Sequence, residues 1–305
     1  MMKIFISTIP FGSNPKALAL LKENNIDFLI NQFDRKVTED DLLSIISDFD
    51  GLIAGTEPIT KRVIDCARNL KVISRLGVGT DNIDIKYAQS KNIEIEVTKD
   101  APTNAVAEHT IALMLNLLRN INSSDKDLKK GIWQKKMGKE ISQCVIGVIG
   151  AGKIGNKVIG LINSFQPKQI FYSDPFIELD ERLAKKTNLN YLLRHSDIIT
   201  LHLPLNANTK HLIGMKELSL MKSDSILVNT SRGDLIDEGA LHQCLLKNSI
   251  GGVALDVFSK EPYKGELTNL ENCLLTPHIS PMTEQARSNM EIASVENLLK
   301  HLTKN

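Results

Sequence analysis

The sequence predicts an α/β protein made of two domains, each with a doubly wound parallel sheet. Short apolar runs alternate with segments of helical period along nearly the whole chain, and one apolar run leads through a glycine-rich turn directly into a helix. Strands that alternate with helices pair in parallel, and the helices then cover both faces of the sheet. The length of 305 residues is sufficient for two such domains.

The composition excludes several classes of protein. Lysine and arginine number 37 against 36 aspartate and glutamate, so the net charge of +1 gives no electrostatic basis for binding nucleic acid or a membrane surface. No apolar run approaches the ~20 residues that cross a bilayer, and the N-terminus lacks the layout of a signal peptide, so we expect a cytoplasmic protein. The four cysteines form no C-x-x-C pair and no histidine cluster lies near them, so we expect neither a disulfide framework nor a metal site.

The segment before residue 99 contains five predicted strands, at residues 3–7, 28–31, 51–54, 71–76 and 94–98. Four predicted helices lie between them, at residues 15–24, 39–49, 60–67 and 85–91. No glycine-rich phosphate loop opens any of these helices. This domain is therefore predicted to be doubly wound but to have no nucleotide site of its own.

The loop RLGVGTDNID, residues 75–84, follows the fourth predicted strand. Ligands of open α/β sheets bind at the carboxyl ends of the strands, and successive N–H groups around Gly77 and Gly79 can form an anion-binding nest there. Arg75 can add a charge-assisted hydrogen bond to a carboxylate or a phosphate. The alternative is a turn beside a surface arginine with no ligand, and these residues alone leave both interpretations open.

Residues 103–119 predict a long helix that is apolar nearly all round. Such a helix is typically buried, and we expect it to lie at a contact between domains or between subunits. Glu108 and His109 are polar residues near its start. We expect them to anchor the buried helix rather than to take part in chemistry.

The stretch VIGVIGAGKIGNKVIGLINSFQPKQIFYSD, residues 145–174, has the order of a dinucleotide-binding βαβ unit. Gly150, Gly152 and Gly155 permit a tight turn, close approach to a pyrophosphate and close packing of helix on strand, and the helix N-terminus offers N–H groups to phosphates. Asp174 lies 24 residues after Gly150, where a carboxylate binds the ribose 2′-OH and repels a 2′-phosphate. The pattern favours NAD over NADP, and its alternative is a βα turn without a ligand.

The alternation of strands and helices resumes after Asp174. Predicted strands at 197–203, 225–230, 252–257 and 273–276, with a helix at 238–247, complete a sheet of six or seven strands. The last predicted helix, 284–304, is expected to pack on the first domain and to make it discontinuous. The predicted domains are residues 1–98 plus 281–305, and residues 99–280.

Three polar residues follow predicted strands in the second half. Arg232 follows the strand at 225–230, Glu261 the strand at 252–257, and His278 the strand at 273–276. If these strands share one parallel sheet, the three side chains lie at its carboxyl edge beside the cofactor crevice. Taken singly, each has a structural alternative: an arginine paired with an acid, a Glu-Pro turn and a histidine that caps a loop.

Together these motifs resemble the D-isomer-specific 2-hydroxyacid dehydrogenase family. The similar stretches are RLGVGTDNID, the NAVAEH helix, GVIGAGKIG, NTSRGDLID, ALDVFSKEP and LLTPHIS, in the family's order over nearly the whole chain. The resemblance implies two Rossmann-like domains, of which the discontinuous one is flavodoxin-like and binds the substrate. It also implies NAD as cofactor, a homodimer formed through the NAVAEH helix region, and a catalytic set of Arg232, Glu261 and His278.

The chemistry of these three residues suits the implied reaction of a small anionic 2-hydroxy or 2-oxo acid. Arg232 stays cationic and can hold the carboxylate or carbonyl of the substrate. His278 is the acid/base that takes the hydroxyl proton on oxidation and returns it on reduction. Glu261 bonds the other ring nitrogen and fixes the tautomer.

Further residues carry over from the family. Those implied to bind the cofactor are Thr98, Lys153, Ile154, His202, Thr209, Thr230 and Asp256, the last through the nicotinamide carboxamide. The backbone amides of Gly77, Val78 and Gly79 are implied to bind the substrate carboxylate. For His202 the alternative is a partly buried loop histidine without a ligand.

The substrate is the open point. Arg75 matches an arginine that phosphoglycerate dehydrogenases use near the substrate phosphate, which favours 3-phosphoglycerate, with hydroxypyruvate, glyoxylate and D-lactate as alternatives. The chain ends soon after the last predicted helix, so we expect no C-terminal regulatory domain and no feedback control through one. The sequence SPMT after His278 departs from the Gly-Ala-Ser or aromatic stretch of many members and leaves the substrate size open.

The motifs argue against two other dehydrogenases and leave one binding function open. Formate dehydrogenase has a glutamine where this chain has Glu261. An L-specific dehydrogenase is opposed by the order of glutamate before histidine and by the discontinuous first domain. An NAD(H)-sensing corepressor that binds peptides keeps the same three residues, so it stays as an alternative from a different class.

Overall fold

The computed structural model describes residues 2–12 and 14–303. The predicted domain limits at 1 and 305, residue 13, and the predicted helix end at 304 lie outside the described residues. The described chain divides into two compact units: unit 1 comprises the segment up to Pro102 and the segment from Met282 onward, and unit 2 comprises Thr103–Pro281. The predicted boundaries, 98/99 and 280/281, differ from this division by four residues and by one residue.

Unit 1 contains a five-stranded sheet. Its strands are β1 (Lys3–Ile6), β2 (Asp27–Ile30), β3 (Gly51–Ala54), β4 (Val72–Arg75) and β5 (Glu94–Val97). The helices between them are α1 (Pro15–Glu23), α2 (Glu39–Ile45), α3 (Lys61–Cys66) and α4 (Ile85–Ser90), with a 3₁₀ turn at Ile46–Asp48. All strands pair in parallel, in the order β2-β1-β3-β4-β5.

Unit 2 contains a seven-stranded sheet. Its strands are β6 (Val145–Ile149), β7 (Gln169–Ser173), β8 (Lys185–Lys186), β9 (Ile198–Leu201), β10 (Ile226–Asn229), β11 (Gly252–Leu255) and β12 (Cys273–Leu275). Its helices are α5 (Thr103–Arg119), α6 (Ile121–Lys129), α7 (Lys153–Asn163), α8 (Leu189–His195), α9 (Met215–Leu218) and α10 (Glu238–Leu246), with 3₁₀ turns at Ile141–Gln143, Gly233–Leu235 and Glu266–Asn269. All strands pair in parallel, in the order β12-β11-β10-β9-β6-β7-β8. The last helix, α11 (Glu284–Leu302), belongs to unit 1, and the predicted fold class is confirmed.

The central strands are apolar without alternation because both faces of each sheet are covered. Every residue of β3, β4, β9, β10 and β11 is buried. In unit 1, α1 and α11 pack on one face of the sheet, where Ile4 and Ile6 meet Val295 and Leu298, and α2 to α4 pack in the cluster on the other face. In unit 2, α5 and α7 share one cluster, and α8 to α10 share the second.

Helix α5 packs inside unit 2. Its buried residues include Ala107, Ile111 and Met114, which share a cluster with Val158 and Ile162 of α7. Packing on α7 within unit 2 therefore accounts for these buried residues, and the predicted contact of this helix between domains or between subunits stays a prediction. No helix within residues 2–12 and 14–303 has the length and apolar character to cross a membrane.

A buried ion pair joins α11 to the loop after β1 in unit 1. Arg287 is 8% exposed and Glu291 is 0% exposed. Arg287 Nε donates to Glu291 Oε1 at 3.2 Å, and its Nη2 donates to the hydroxyl of Thr8 and to the carbonyl of Pro10. Glu291 Oε2 accepts the backbone N–H of Gly12 at 3.1 Å. The pair therefore fixes the loop through side-chain and backbone bonds.

We expect Arg287→Met to lower the free energy of unfolding of unit 1 by about 3–5 kcal/mol, because it leaves the Glu291 carboxylate buried without its cation. The double variant Arg287→Met/Glu291→Gln should recover part of this loss, since glutamine keeps an acceptor for the Gly12 N–H. Urea unfolding of the wild type, the single variant and the double variant measures the three free energies of unfolding. A single variant as stable as the wild type would contradict the buried pair.

Candidate active site

The strand order brings the predicted site residues of unit 2 to one edge of its sheet. The glycine-rich turn follows β6, whose neighbours are β7 on one side and β9 on the other. This is the point where the strand order reverses and where ligands of doubly wound sheets bind. Strands β10, β11 and β12 are consecutive neighbours, so the loops that carry Arg232, Glu261 and His278 leave the same edge side by side.

The glycine turn leaves open space before the N-terminus of α7. Gly150 has φ +90°, which few other residues adopt, and a Cβ on Gly155 would overlap the carbonyl oxygen of Gly150. Gly152 caps α7 without a side-chain bond, and a Cβ built on it meets no atom within 4 Å. The N–H groups of the first turn, which include those of Lys153 and Ile154, have no acceptor within the helix. The turn therefore fits a pyrophosphate.

Asp174 links the glycine turn to the end of β7. Its Oδ2 accepts the N–H of Ala151 at 2.8 Å, and its Oδ1 accepts the N–H groups of Phe176 and Ile177 at 2.8 and 3.0 Å. Each carboxylate oxygen has two lone pairs, so these bonds leave capacity for a ribose hydroxyl. Asp174 thus orders the turn as well as providing a carboxylate at the predicted position.

His202 lies against the glycine turn. A Cβ on Gly155 would lie 3.5 Å from the Cβ of His202. The ring Nε2 is 3.0 Å from the hydroxyl of Thr200, whereas in the described part of the chain the buried Nδ1 has no hydrogen-bond partner. Burial lowers the pKa of His202 to about 3, so the ring is neutral near pH 7. An orphaned polar atom beside an open turn is consistent with a missing ligand there.

The structure brings His278 and Glu261 together. His278 Nδ1 is 2.9 Å from Glu261 Oε2, and Glu261 Oε1 accepts the N–H of Phe258 at 3.2 Å. An ionised carboxylate only accepts hydrogen bonds, so Nδ1 carries the proton and Nε2 is the ring nitrogen that can exchange one. Both side chains are about one-quarter exposed, at 28% for His278 and 24% for Glu261.

Asp256 holds the backbone on both sides of His278. Its carboxylate is completely buried, with Oδ1 accepting the Thr276 hydroxyl at 2.6 Å and the Ile279 N–H at 2.8 Å, and Oδ2 accepting the Ser280 N–H at 2.8 Å. Burial alone would raise the pKa of Asp256, but these bonds and the imidazole of His109 outweigh it and hold the pKa below its usual value. All these contacts are with protein groups, so the structure places Asp256 as a support for the His278 loop.

Arg232 follows β10 and is partly buried. Its Nη1 donates to the carbonyl of Ser231 at 2.7 Å, and its own carbonyl accepts from Asn229 Nδ2 at 2.8 Å. These bonds fix the turn that leads into the 3₁₀ turn at Gly233–Leu235. The guanidinium therefore stands on an ordered loop next to the loop that carries Glu261.

The two predicted threonines of unit 2 have protein partners. Thr209 donates to the carbonyl of Pro204 at 2.7 Å and accepts the N–H of Asn206 at 2.9 Å, which closes the turn after β9. Thr230 lies 2.9 Å from the hydroxyl of Thr110 on α5. These bonds order both side chains, and their predicted contact with the cofactor stays a prediction.

Unit 1 contains the predicted turn at Gly77 together with Thr98. Thr98 Oγ1 accepts the Gly77 N–H at 2.7 Å, and the Thr98 N–H donates to the Gly77 carbonyl at 3.0 Å. The Gly77 amide is thus already bonded, whereas within the described residues neither the Val78 nor the Gly79 N–H donates a hydrogen bond. Two of the three predicted amides are therefore available to a ligand.

Arg75 is 8% exposed and lies beneath this turn. Its Nη1 donates to the carbonyl of Leu76, and a Cβ on Gly77 would overlap the guanidinium. Gly77 has φ +137°, so the glycine satisfies both the backbone conformation and the space that the arginine takes. Arg75 is buried rather than on the surface.

Sequence reasoning missed Thr276 and assigned His109 no link to the site. Both residues contact the Asp256 carboxylate, and Thr276 stands directly after β12, two residues before His278. The position of Thr276, two residues before a predicted catalytic histidine, could have indicated a supporting role. Within residues 2–12 and 14–303, no group of three or more His, Cys, Asp or Glu side chains could hold a metal ion, and the four cysteines are free thiols.

Comparison with known proteins adds a family to this geometry. Residues 111–280 match the model of the D-isomer specific 2-hydroxyacid dehydrogenase, NAD binding domain. The chain is 36% identical over 294 residues to a hydroxypyruvate reductase of Thermotoga maritima, covering 92% of this chain and 96% of the relative. A solved D-lactate dehydrogenase from Aquifex aeolicus, complexed with NAD and lactic acid, superposes with a TM-score of 0.88 at 25% identity over 99% of this chain and 98% of that one.

The chain is also 41% identical over 275 residues to a D-3-phosphoglycerate dehydrogenase of Methanocaldococcus jannaschii. This alignment covers 87% of the chain but 52% of the relative. The chain thus spans about half the length of that enzyme.

Proposed function

The chain belongs to the D-isomer-specific 2-hydroxyacid dehydrogenase family, and we propose that it interconverts a D-2-hydroxy acid and its 2-oxo acid with NAD as cofactor. The observation that carries this proposal is the 2.9 Å contact between His278 Nδ1 and Glu261 Oε2 at the carboxyl edge of the unit 2 sheet. It leaves Nε2 as the proton-exchanging atom on a loop that Asp256 holds in place.

His278 acts as the acid/base in this proposal. In the oxidation direction Nε2 takes the proton of the substrate hydroxyl, and in reduction it returns a proton to the carbonyl oxygen. Glu261 keeps Nδ1 protonated and stabilises the imidazolium, since its carboxylate lies in hydrogen-bond contact. Arg232, on the neighbouring loop, stays cationic and holds the substrate carboxylate or carbonyl by charge-assisted bonds.

The residues around the glycine turn hold NAD. When bound, NAD supplies the hydride acceptor or donor at its nicotinamide ring. The N–H groups of Lys153 and Ile154 bind the pyrophosphate at the N-terminus of α7, and Asp174 accepts from the ribose hydroxyls. His202 packs against the same turn beside Gly155.

The turn of unit 1 binds the substrate carboxylate through the Val78 and Gly79 amides, because these two N–H groups have no protein acceptor in the described structure. Arg75 and Thr98 support the turn from below. A guanidinium buried under its own loop and bonded to the Leu76 carbonyl is poorly placed to meet a solvated phosphate. We therefore propose hydroxypyruvate or glyoxylate as the 2-oxo substrate.

A second candidate substrate is 3-phosphohydroxypyruvate, the partner of 3-phosphoglycerate. It is favoured by the 41% identity to the Methanocaldococcus jannaschii enzyme and by the presence of an arginine at position 75. In this case Arg75 would turn out from under Gly77 and bind the phosphate.

We further propose that the enzyme is a homodimer in the cytoplasm. Residues 121–137 carry a run of exposed apolar side chains, namely Ile121, Leu128, Ile132, Trp133 and Met137. A cluster of this kind commonly marks a protein–protein interface. A monomer in sedimentation at micromolar concentration would contradict the dimer.

We expect His278→Asn to lower kcat by about 10²–10⁴-fold, the usual contribution of general acid–base catalysis, with NADH affinity little changed. Asparagine tolerates the left-handed conformation of this position, φ +56°, so the loop should keep its path. Glu261→Gln, which still accepts from Nδ1, should lose less. Steady-state kinetics measure kcat, and titration of NADH fluorescence measures the affinity for the cofactor. Turnover within threefold of wild type for His278→Asn would overturn the acid/base assignment.

We expect Asp174→Ala to weaken the binding of NAD and to reduce the preference for NAD over NADP by about tenfold or more. The variant loses a charged hydrogen-bond acceptor, and with it the repulsion of a 2′-phosphate. Asp174→Asn removes the charge and one of the two acceptor oxygens but keeps an oxygen for the Ala151 N–H, so its comparison with Asp174→Ala shows how much of the change comes from the remaining acceptor. Comparing kcat/KM for NADH and NADPH tests this. If neither variant changes the ratio, another residue sets the preference.

We expect kcat/KM for hydroxypyruvate or glyoxylate to exceed that for 3-phosphohydroxypyruvate by at least about tenfold, because no arginine at the turn is free to gain the charge-assisted bond to a phosphate. In Arg75→Met all three values should fall by a similar factor, since the turn itself is disturbed. NADH consumption on the purified chain is the measurement.

Two outcomes would contradict this substrate assignment. Preference for 3-phosphohydroxypyruvate, abolished selectively in Arg75→Met, would make Arg75 a phosphate ligand. An absence of turnover on every 2-oxo acid, with NADH still bound, would point instead to an NAD(H)-sensing protein.

A further inference from the structure

Helix α5 contacts the loop of His278 through His109. Its Nε2 lies 3.2 Å from the Thr276 hydroxyl and 3.6 Å from Asp256 Oδ1, and its side chain is 19% exposed. All these residues belong to unit 2. Neither the proposed acid–base step nor the proposed NAD contacts use this histidine.

The direction of the hydrogen bonds follows from the proton count. Asp256 is held as a carboxylate and can only accept, so Thr276 donates its single hydroxyl proton to Oδ1 at 2.6 Å. The Thr276 oxygen must then accept from His109, which therefore carries its proton on Nε2. The chain of donors runs from His109 to Thr276 to Asp256.

This series of hydrogen bonds ends at the backbone around His278. Asp256 accepts the N–H groups of Ile279 and Ser280, and the His278 N–H donates to the Thr276 carbonyl at 3.0 Å. His278 has φ +56°, a region that residues other than glycine rarely adopt. Such a conformation persists where the surrounding bonds over-determine it.

The next residue of α5 makes a parallel contact. The Thr110 hydroxyl donates to the Val106 carbonyl at 2.8 Å, so the Thr230 hydroxyl is the donor in the 2.9 Å bond between the two threonines. Thr230 lies directly after β10, two residues before Arg232. Adjacent residues of one helix thus hold the loop of His278 and the loop of Arg232.

We propose that His109 is a positioning residue that keeps His278 in its reactive position through Thr276 and Asp256. The proposal rests on the proposed function, which assigns the acid–base step to His278. His109 does not contact the substrate in this scheme. Its effect should therefore be on kcat rather than on cofactor affinity.

The test compares His109→Gln with His109→Leu in the full chain. Glutamine can place an N–H donor near the position of Nε2, whereas leucine removes the donor at similar volume. We expect His109→Leu to lower kcat by about tenfold, since small displacements of catalytic groups are costly, with NADH affinity within twofold of wild type. His109→Gln should restore most of kcat. His195→Leu, the same change at an exposed position of helix α8, is the matched control and should leave kcat unchanged.

The order of these hydrogen bonds is tested with Thr276→Val and with a double variant that also changes His109. If His109 acts through Thr276, the double variant His109→Leu/Thr276→Val is no slower than the slower single variant. Losses that multiply would overturn the proposal, as would an unchanged kcat in His109→Leu or a glutamine variant as slow as the leucine variant.

Hydrogen exchange separates this proposal from the proposed function. The amides of Thr276, His278, Ile279 and Ser280 should exchange faster in His109→Leu than in wild type or His109→Gln, whether or not the protein turns over a 2-oxo acid. Unchanged exchange there would overturn the positioning role. Failure of the proposed function would show differently, as full activity in His278→Asn or as no activity in the wild type.

Discussion

The buried carboxylate of Asp256 is the group on which the geometry of the unit 2 site depends. A completely buried charge is stable only where hydrogen bonds replace its water, and here the donors are the Thr276 hydroxyl and the N–H groups of Ile279 and Ser280. These bonds fix the chain on both sides of His278 without contacting its ring. The ring itself is oriented by Glu261. Asp256 therefore fixes the position of His278, and Glu261 determines which ring nitrogen carries the proton.

Both units use the carboxyl edge of a parallel sheet, but they expose different groups there. At the edge of unit 1 the buried polar side chains bond to the loops themselves: Glu57 accepts the Ser7 hydroxyl and the Gly55 N–H, and Thr98 accepts the Gly77 N–H. What stays available on this turn is backbone, the amides of Val78 and Gly79. The edge of unit 2 instead carries ionisable side chains on three neighbouring loops. Backbone N–H groups are therefore the available polar groups at the unit 1 turn, whereas ionisable side chains are available at the unit 2 edge.

Sequence patterns predicted the features that depend on neighbouring residues and on long apolar runs. The glycine turn and Asp174 were found because strand, turn and helix follow each other along the chain, and the fold class followed from the alternation. Strand β8 and helix α9 were not predicted, since they have two and four residues and too few positions to show a period. Side-chain partners far along the chain were also missed. Thr98 bonds to Gly77 across 21 residues, and His109 meets Thr276 across 167, distances at which no local pattern connects two residues.

The proposed proton transfer involves side chains of unit 2, whereas the proposed substrate preference involves Arg75 of unit 1. Oxidation of any 2-hydroxy acid removes a proton from the hydroxyl and a hydride from the carbon that carries it, whatever the rest of the acid is. Relatives named for a phosphorylated and for an unphosphorylated substrate are accordingly similar to this chain to a comparable degree, at 41% and 36% identity. Identity over the whole chain therefore reports the common reaction. In unit 1 the guanidinium of Arg75 lies beneath Gly77 and donates to the Leu76 carbonyl, so the charge presented at this turn depends on the direction of one side chain.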